Sequence, residues 1–234
     1  GIRRFLIVDN GSRDGSSEYL RAQPDCYTFR TLGSYRGSAA GRLWLQELAD
    51  TYCRNSWVLT VDADELLEYP AYEAVGINSL IQFLINQSSQ GLFCPLIDVY
   101  LGQGADASGD SSLMFDTNYQ IGITNTAPYI TLKGGPRGRL SSEVQSFKTP
   151  MMRKTPLIYW QEGFSYIFST HSHTPVRLST VTGVLSHYKL VDDLVLHAER
   201  ELSRGDRRQE GDYRAYLSDR AGFVGLEIDG SVRR

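Results

Sequence analysis

Four short apolar runs separated by amphipathic helix patterns confine this chain to a layered α/β fold. Phe5-Leu6-Ile7-Val8 is continuous, the mark of a strand covered on both faces. Tyr27 to Leu32, Trp57 to Val61 and Leu92 to Tyr100 read as three more strands. Helices are expected between them, from about Ser17 to Gln23, Ser38 to Arg54 and Val75 to Gln87. The second would put Ala39, Leu43, Leu48 and Tyr52 on one face; the third carries Ile77, Leu80, Ile81, Leu84 and Ile85 at near-ideal helical spacing. Repeated strand–helix–strand units predict a mainly parallel sheet flanked by helices. Ligands of such sheets bind beyond the carboxyl ends of the strands, and the acidic turns after Val8 and Val61 both fall at such ends, so they are expected to face one crevice.

The second half is less regular. Leu157 to Trp160 and Thr182 to His187 look like strands, and Leu190 to Arg204 and Asp212 to Asp219 like closing helices. No repeat, low-complexity tract or linker divides the chain, which reads as one domain over residues 1–234. It begins with Gly1 and enters a strand pattern almost at once, so it reads as a fragment or a trimmed chain.

Charge and cysteine usage exclude several function classes. The 24 Lys+Arg against 27 Asp+Glu give a net charge of −3 with no basic block, which argues against a dedicated nucleic-acid surface. The 3 cysteines, Cys26, Cys53 and Cys94, are far apart and form no Cys-x-x-Cys pair, which argues against a disulfide framework or structural zinc and for a reducing, cytoplasmic compartment. No apolar run reaches the roughly 18–20 residues of a membrane span.

Asp62-Ala63-Asp64 is the sharpest chemical signal. Two carboxylates at the end of a buried strand raise each other's pKa unless a cation sits beside them, and a hard divalent ion with oxygen ligands relieves that cost. The plainer alternative is a solvated acidic turn capping the next helix. In Asp9-Asn10-Gly11-Ser12-Arg13-Asp14-Gly15-Ser16, the turn also offers Asp9 or Asn10 to the hydrogen-bonding edge of a base. His187 ends an apolar run and reads by itself as structural. His171 and His173 share a face if extended, but no third ligand lies near in sequence. The Gly134-Gly135-Pro136-Arg137-Gly138-Arg139 turn would either cradle an anion through Arg137 and Arg139 or be a plain hairpin.

Taken together these segments resemble family 2 glycosyltransferases of the GT-A fold, in particular a bacterial branch. The resemblance rests on Phe5 to Ser16, Gly33-Ser34-Tyr35-Arg36, Leu59 to Leu66, Lys133-Gly134-Gly135, Lys154-Thr155-Pro156-Leu157, Ser169-Thr170-His171 and Leu185 to Lys189, running from Ile2 to about Tyr216. It implies a Rossmann-like, mainly parallel mixed sheet, with residues 1–100 as the nucleotide-sugar half and 101–234 as the acceptor side. It further implies transfer of a sugar, with inversion, from a nucleotide-diphosphate donor (a UDP-sugar first) to a glycan or glycolipid, in polysaccharide biosynthesis at the inner face of a membrane.

By the same analogy Asp9 and Asn10 contact the base, Asp62 lies near the ribose or metal, and Asp64 with His187 ligates Mn²⁺ or Mg²⁺. Arg36, Arg137, Arg139 and Lys189 would meet the donor's phosphates. An inverting enzyme needs one general base; Glu162, between Trp160 and Phe164 that would stack on a sugar, comes first and Asp98 second. Two departures stand out: the family's usual first strand and helix are lacking, and Ala39 replaces a common arginine, leaving Arg36 or Arg42 to substitute. They motivate a rival reading, a truncated or non-catalytic domain that binds nucleotide without turnover. A nucleotidyltransferase would need a glycine-rich loop where the acidic Asp9 turn stands, and a two-metal phosphohydrolase a second acidic cluster.

Overall fold

The computed structural model describes residues 1–101, 113–116, 119–123, 130–137, 151–190, 198–200, 202–203, 214 and 231–233. In chain order the elements are β1 (Phe5–Asp9), α1 (Ser16–Arg21), β2 (Cys26–Arg30), α2 (Arg42–Tyr52), β3 (Ser56–Leu59), β4 (Glu65–Glu68), α3 (Ile77–Asn86), β5 (Gly91–Leu101), β6 (Leu113–Asp116), β7 (Tyr119–Ile123), β8 (Ile130–Gly134), β9 (Arg153–Trp160), β10 (Val184–Leu190) and β11 (Ser231–Arg233). The chain is an α/β protein that divides into two compact units, each drawn from three stretches of sequence: Gly1–Thr60, Ala71–Leu92 and Pro156–Thr180 form the first, and Val61–Pro70, Phe93–Thr155 and Val181–Arg234 the second.

In the first unit β1 and β2 pair in parallel, from Phe5 opposite Cys26 to Asp9 opposite Arg30, while β3 runs antiparallel to the end of β9. β1 is only half-buried along most of its length, not covered on both faces as its apolar run predicts. The core is aromatic: Ala49, Ile158, Trp160, Phe164 and Tyr166 pack together with Val58 and Val176 beside them. Each buried polar tip finds a partner, as such rings require. Trp160 Nε1 donates to Asp50 Oδ1 at 2.9 Å and the Tyr166 hydroxyl to Thr60 Oγ1 at 2.9 Å.

Both longer helices follow local rules with a shift. α2 begins at Arg42 because Ala39, Ala40 and Gly41 carry φ of 56°, 59° and 80°, a left-handed run that no helix can enter. Its buried face centres on Ala49, leaving the expected Leu43 and Tyr52 exposed. In α3 Leu80 and Leu84 are buried, whereas Ile85 falls off the buried face.

The second unit is built on a mixed sheet. The order β11-β6-β5-β10-β4 contains one parallel ladder, β5 with β10, among antiparallel ones. This corrects the expectation of a mainly parallel sheet: β4, a strand not expected, runs antiparallel to β10, and β6 returns antiparallel along β5. β7 and β8 form a separate antiparallel pair. Of the predicted closing helices, Leu190 instead ends β10, residues 198–200, 202–203 and 214 are helical, and the remainder lies outside the described residues.

Candidate functional site

Strand alternation decides where the charged side chains go. Along β5, Leu92, Cys94, Leu96, Asp98 and Tyr100 occupy one row, and all are buried. Asp98 is therefore a carboxylate in an apolar row, at 0% exposure, and a charge there persists only with strong partners. Two are present. Arg137 donates from Nε to Oδ2 and from Nη2 to Oδ1, both at 2.7 Å, and His187 Nδ1 lies 2.8 Å from Oδ1. Burial opposes ionisation of Asp98, but the Arg137 charge and the His187 and Arg137 hydrogen bonds overcome it and hold its pKa at about 2.

The turn that delivers Arg137 depends on Gly135. Its φ is +68°, and a Cβ there would come within 2.5 Å of the Tyr119 hydroxyl, so only glycine fits. Arg137 itself is buried, with two nitrogens on Asp98 and Nη2 also 3.2 Å from His187 Nδ1 and 3.4 Å from Met152 Sδ. The expectation that it binds donor phosphates is thereby corrected: its geometry serves a protein carboxylate.

β10 places His187 in register with Asp98 on one side and Glu65 on the other. Because ionised Asp98 only accepts, Nδ1–H of His187 must donate to it, which leaves Nε2 facing Asp64 Oδ2 at 3.3 Å. Burial pulls His187 toward neutrality, but hydrogen bonding to Asp64 and Asp98 outweighs burial and the Arg137 charge and raises its pKa. Partial burial likewise opposes ionisation of Asp64, and the bond to His187, its charge and that of Lys189 prevail and lower its pKa. The ladder between β5 and β10 is irregular between His187 and Leu190, and there the Tyr188 N–H donates to the Asp64 carbonyl at 2.8 Å. Lys189 thus belongs to the surroundings of Asp64.

Asp62 is not drawn to His187. Its carboxylate, half-exposed, lies 3.8 Å from Lys154 Nζ, and Lys154 pairs with Glu65 at 2.7 Å. Among the described residues no group of three or more His, Cys, Asp and Glu side chains is arranged to hold a metal ion. Asp64 and His187 alone supply a two-donor pair, with His187 fixed from behind by a carboxylate, the arrangement that orients metal-binding imidazoles.

Asp9, Asn10, Arg36 and Glu162 belong to the first unit. Asp9 is buried; Oδ1 accepts the Ser12 N–H at 2.8 Å, and that bond is the main reason its pKa is lowered. The Ser12 and Ser17 side chains also lower it, and Oδ2 is buried. Asn10 donates through Nδ2 to the Gly33 and Thr31 carbonyls at 3.0 and 3.3 Å, tying the Asp9 turn to the Gly33 loop. Arg36 and Glu162 are exposed. Arg139 lies outside the described residues.

Two further readings change. Asp98, sealed and doubly paired, cannot serve as a general base and instead positions His187. Trp160 and Phe164 are core residues at 0% and 6% exposure, so neither presents a face to a sugar. His173 donates or accepts at Nδ1 toward Thr174, whose carbonyl makes it the donor at 2.8 Å, and its ring packs on Phe164. The residue whose role sequence reasoning missed is Lys154; the available signal was a lysine at the head of a buried strand, directly before Thr155-Pro156-Leu157-Ile158. No protein-family model matches the chain, and no curated protein or solved structure matches it either.

Proposed function

We propose that the chain is a metal-dependent glycosyltransferase of GT-A type, taking a nucleotide-diphosphate sugar, a UDP-sugar first, and transferring the sugar to a glycan or glycolipid hydroxyl. The observation that carries this reading is the approach of His187 Nε2 to Asp64 Oδ2 at 3.3 Å. The two residues are distant in sequence, and they are the pair that the family resemblance implies as ligands. An imidazole and a carboxylate together suit Mn²⁺ better than Mg²⁺.

A divalent ion held by Asp64 and His187 would supply charge stabilisation to a leaving diphosphate. The chain's own groups do the rest. Asp98 holds the Nδ1–H of His187, so that Nε2, which donates to Asp64 in this structure, is the ring nitrogen that would give up its proton to bind an ion. Arg137 keeps Asp98 ionised and immobile. Lys189 adds positive charge near Asp64, where negative charge would build up as the sugar–phosphate bond breaks. No helix among the described residues is long and apolar enough to cross a membrane, and a lipid-linked acceptor would be met at the membrane surface.

The test is calorimetric titration of UDP with and without Mn²⁺ into the wild type, Asp64→Ala and His187→Ala. Metal-dependent binding lost in both variants supports the reading, and a screen of UDP-sugars for transfer follows. Metal-dependent binding with no transfer to any acceptor would favour the rival, a nucleotide-binding domain without turnover. Failure of UDP, GDP and TDP to bind under any condition would refute both.

A further inference from the structure

Asp62, Asp64 and Glu65 crowd three carboxylates into four positions, yet their surroundings treat them differently. Glu65 and Lys154 are 4% and 1% exposed, and Lys154 Nζ lies 2.7 Å from Glu65 Oε2. The same oxygen accepts the Asp62 N–H at 2.9 Å, while the Glu65 N–H donates to the Asp62 carbonyl at 3.1 Å. Glu65 therefore closes the Asp62-Ala63-Asp64 turn from both its backbone and its side chain. Lys154 also reaches Asp62 Oδ1, at 3.8 Å.

Stability does not account for this pair. Two buried ions cost so much desolvation that well-packed apolar residues serve a core equally well. An ionised carboxylate, however, is a stronger acceptor for a backbone N–H than a neutral one, and it stays ionised in a buried position only beside a cation. Lys154 is that cation.

We propose that Lys154 and Glu65 are positioning residues for the acidic turn. Together they form a fixed internal ion pair that locks the backbone of Asp62 and engages its carboxylate, leaving Asp64 as the aspartate that works with His187. Asp62 is thereby reassigned from metal ligand to anchored element of the turn. The assignment of Asp64 rests on the proposed donor site; the clamp on Asp62 does not.

The experiment uses the whole chain and two double variants, Glu65→Gln/Lys154→Met and Glu65→Met/Lys154→Met. Both remove the buried charges, and only the first keeps a side-chain acceptor for the Asp62 N–H. Amide exchange is read at Asp62 and, as an internal standard in the same unit, at Leu185; Mn²⁺ affinity in the presence of UDP is read by electron paramagnetic resonance. Asp62 exchange should rise from wild type through the glutamine variant to the methionine variant, with Leu185 unchanged. Mn²⁺ affinity should fall about tenfold or more in the methionine variant, as for other outer partners of metal ligands. An Asp62 amide as protected as in wild type in whichever double variant folds overturns the clamp, as does equal acceleration at Leu185. Absence of Mn²⁺ binding to the wild type would sink the donor-site reading alone, because the exchange comparison judges the clamp without it.

Discussion

Arg137 holds Asp98 by a two-pronged contact, Nε to Oδ2 and Nη2 to Oδ1 at 2.7 Å each, and Asp98 in turn holds His187 Nδ1 at 2.8 Å. Asp98→Asn removes the charge that both cations share and leaves Arg137 buried without its counter-ion. The expected loss of stability is about 3–5 kcal/mol, the range for breaking a buried pair from one side. Urea unfolding followed by circular dichroism measures it; a loss under about 1 kcal/mol, the level of a surface pair, would show that the contact does not persist in solution.

Acid should unfold the chain through the same contact. The folded pKa of Asp98, about 2, lies below the ordinary 3.8, so its contribution is complete above about 4 and is lost as pH falls toward 2. His187 works in the opposite sense. Its folded pKa is raised above 6.5, so its share is complete below that value and disappears as pH rises through the folded pKa. Stability measured against pH should decline at both ends. Asp98→Asn should flatten the acid limb, and a His187 ring titrating below 6.5 by NMR would contradict the alkaline one.

Gly135→Ala should destabilise the turn that delivers Arg137. The new Cβ meets the Tyr119 hydroxyl at 2.5 Å and adopts a left-handed φ, which together should cost about 2–3 kcal/mol. Adding Tyr119→Phe removes the clash but not the backbone strain, so the double variant should recover roughly half. Full recovery, or none, would show that only one of the two effects operates.

Cys94 should be chemically silent in the native protein. It is fully buried, and burial, helped by the Glu65 charge, pushes its thiol up to about 12. Alkylation followed by peptide mass spectrometry should label Cys26 and Cys53, which are partly exposed, well before Cys94, with Cys94 reacting only after denaturation.

What the sequence disclosed and what it concealed divide along physical lines. β1, β2, β3, α3 and β5 were legible because each carries its own period and its own stop signals. The contact of Asp64 with His187 followed from the resemblance, not from spacing. β4 was hidden because Glu65-Leu66-Leu67-Glu68 sets two adjacent leucines between two charges, with no period of two, and becomes a strand only where β10 pairs with it. The roles of Asp98, Arg137 and Lys154 were hidden for a common reason: which cation neutralises which buried carboxylate depends on contacts between strands and turns far apart in sequence. Trp160 and Phe164 misled because an aromatic stack in a core and one on a sugar have the same composition.

The placement of the indoles has an experimental consequence. Trp44, Trp57 and Trp160 are the chain's 3 tryptophans, and all belong to the first unit, whereas Asp64, Asp98, Arg137, Lys154 and His187 belong to the second. Intrinsic emission excited at the indole band is therefore a reporter native to the first unit alone. A melting curve recorded by it reports order in the first unit, and its agreement or disagreement with one recorded on the His187 ring would reveal whether the units melt in one step or two.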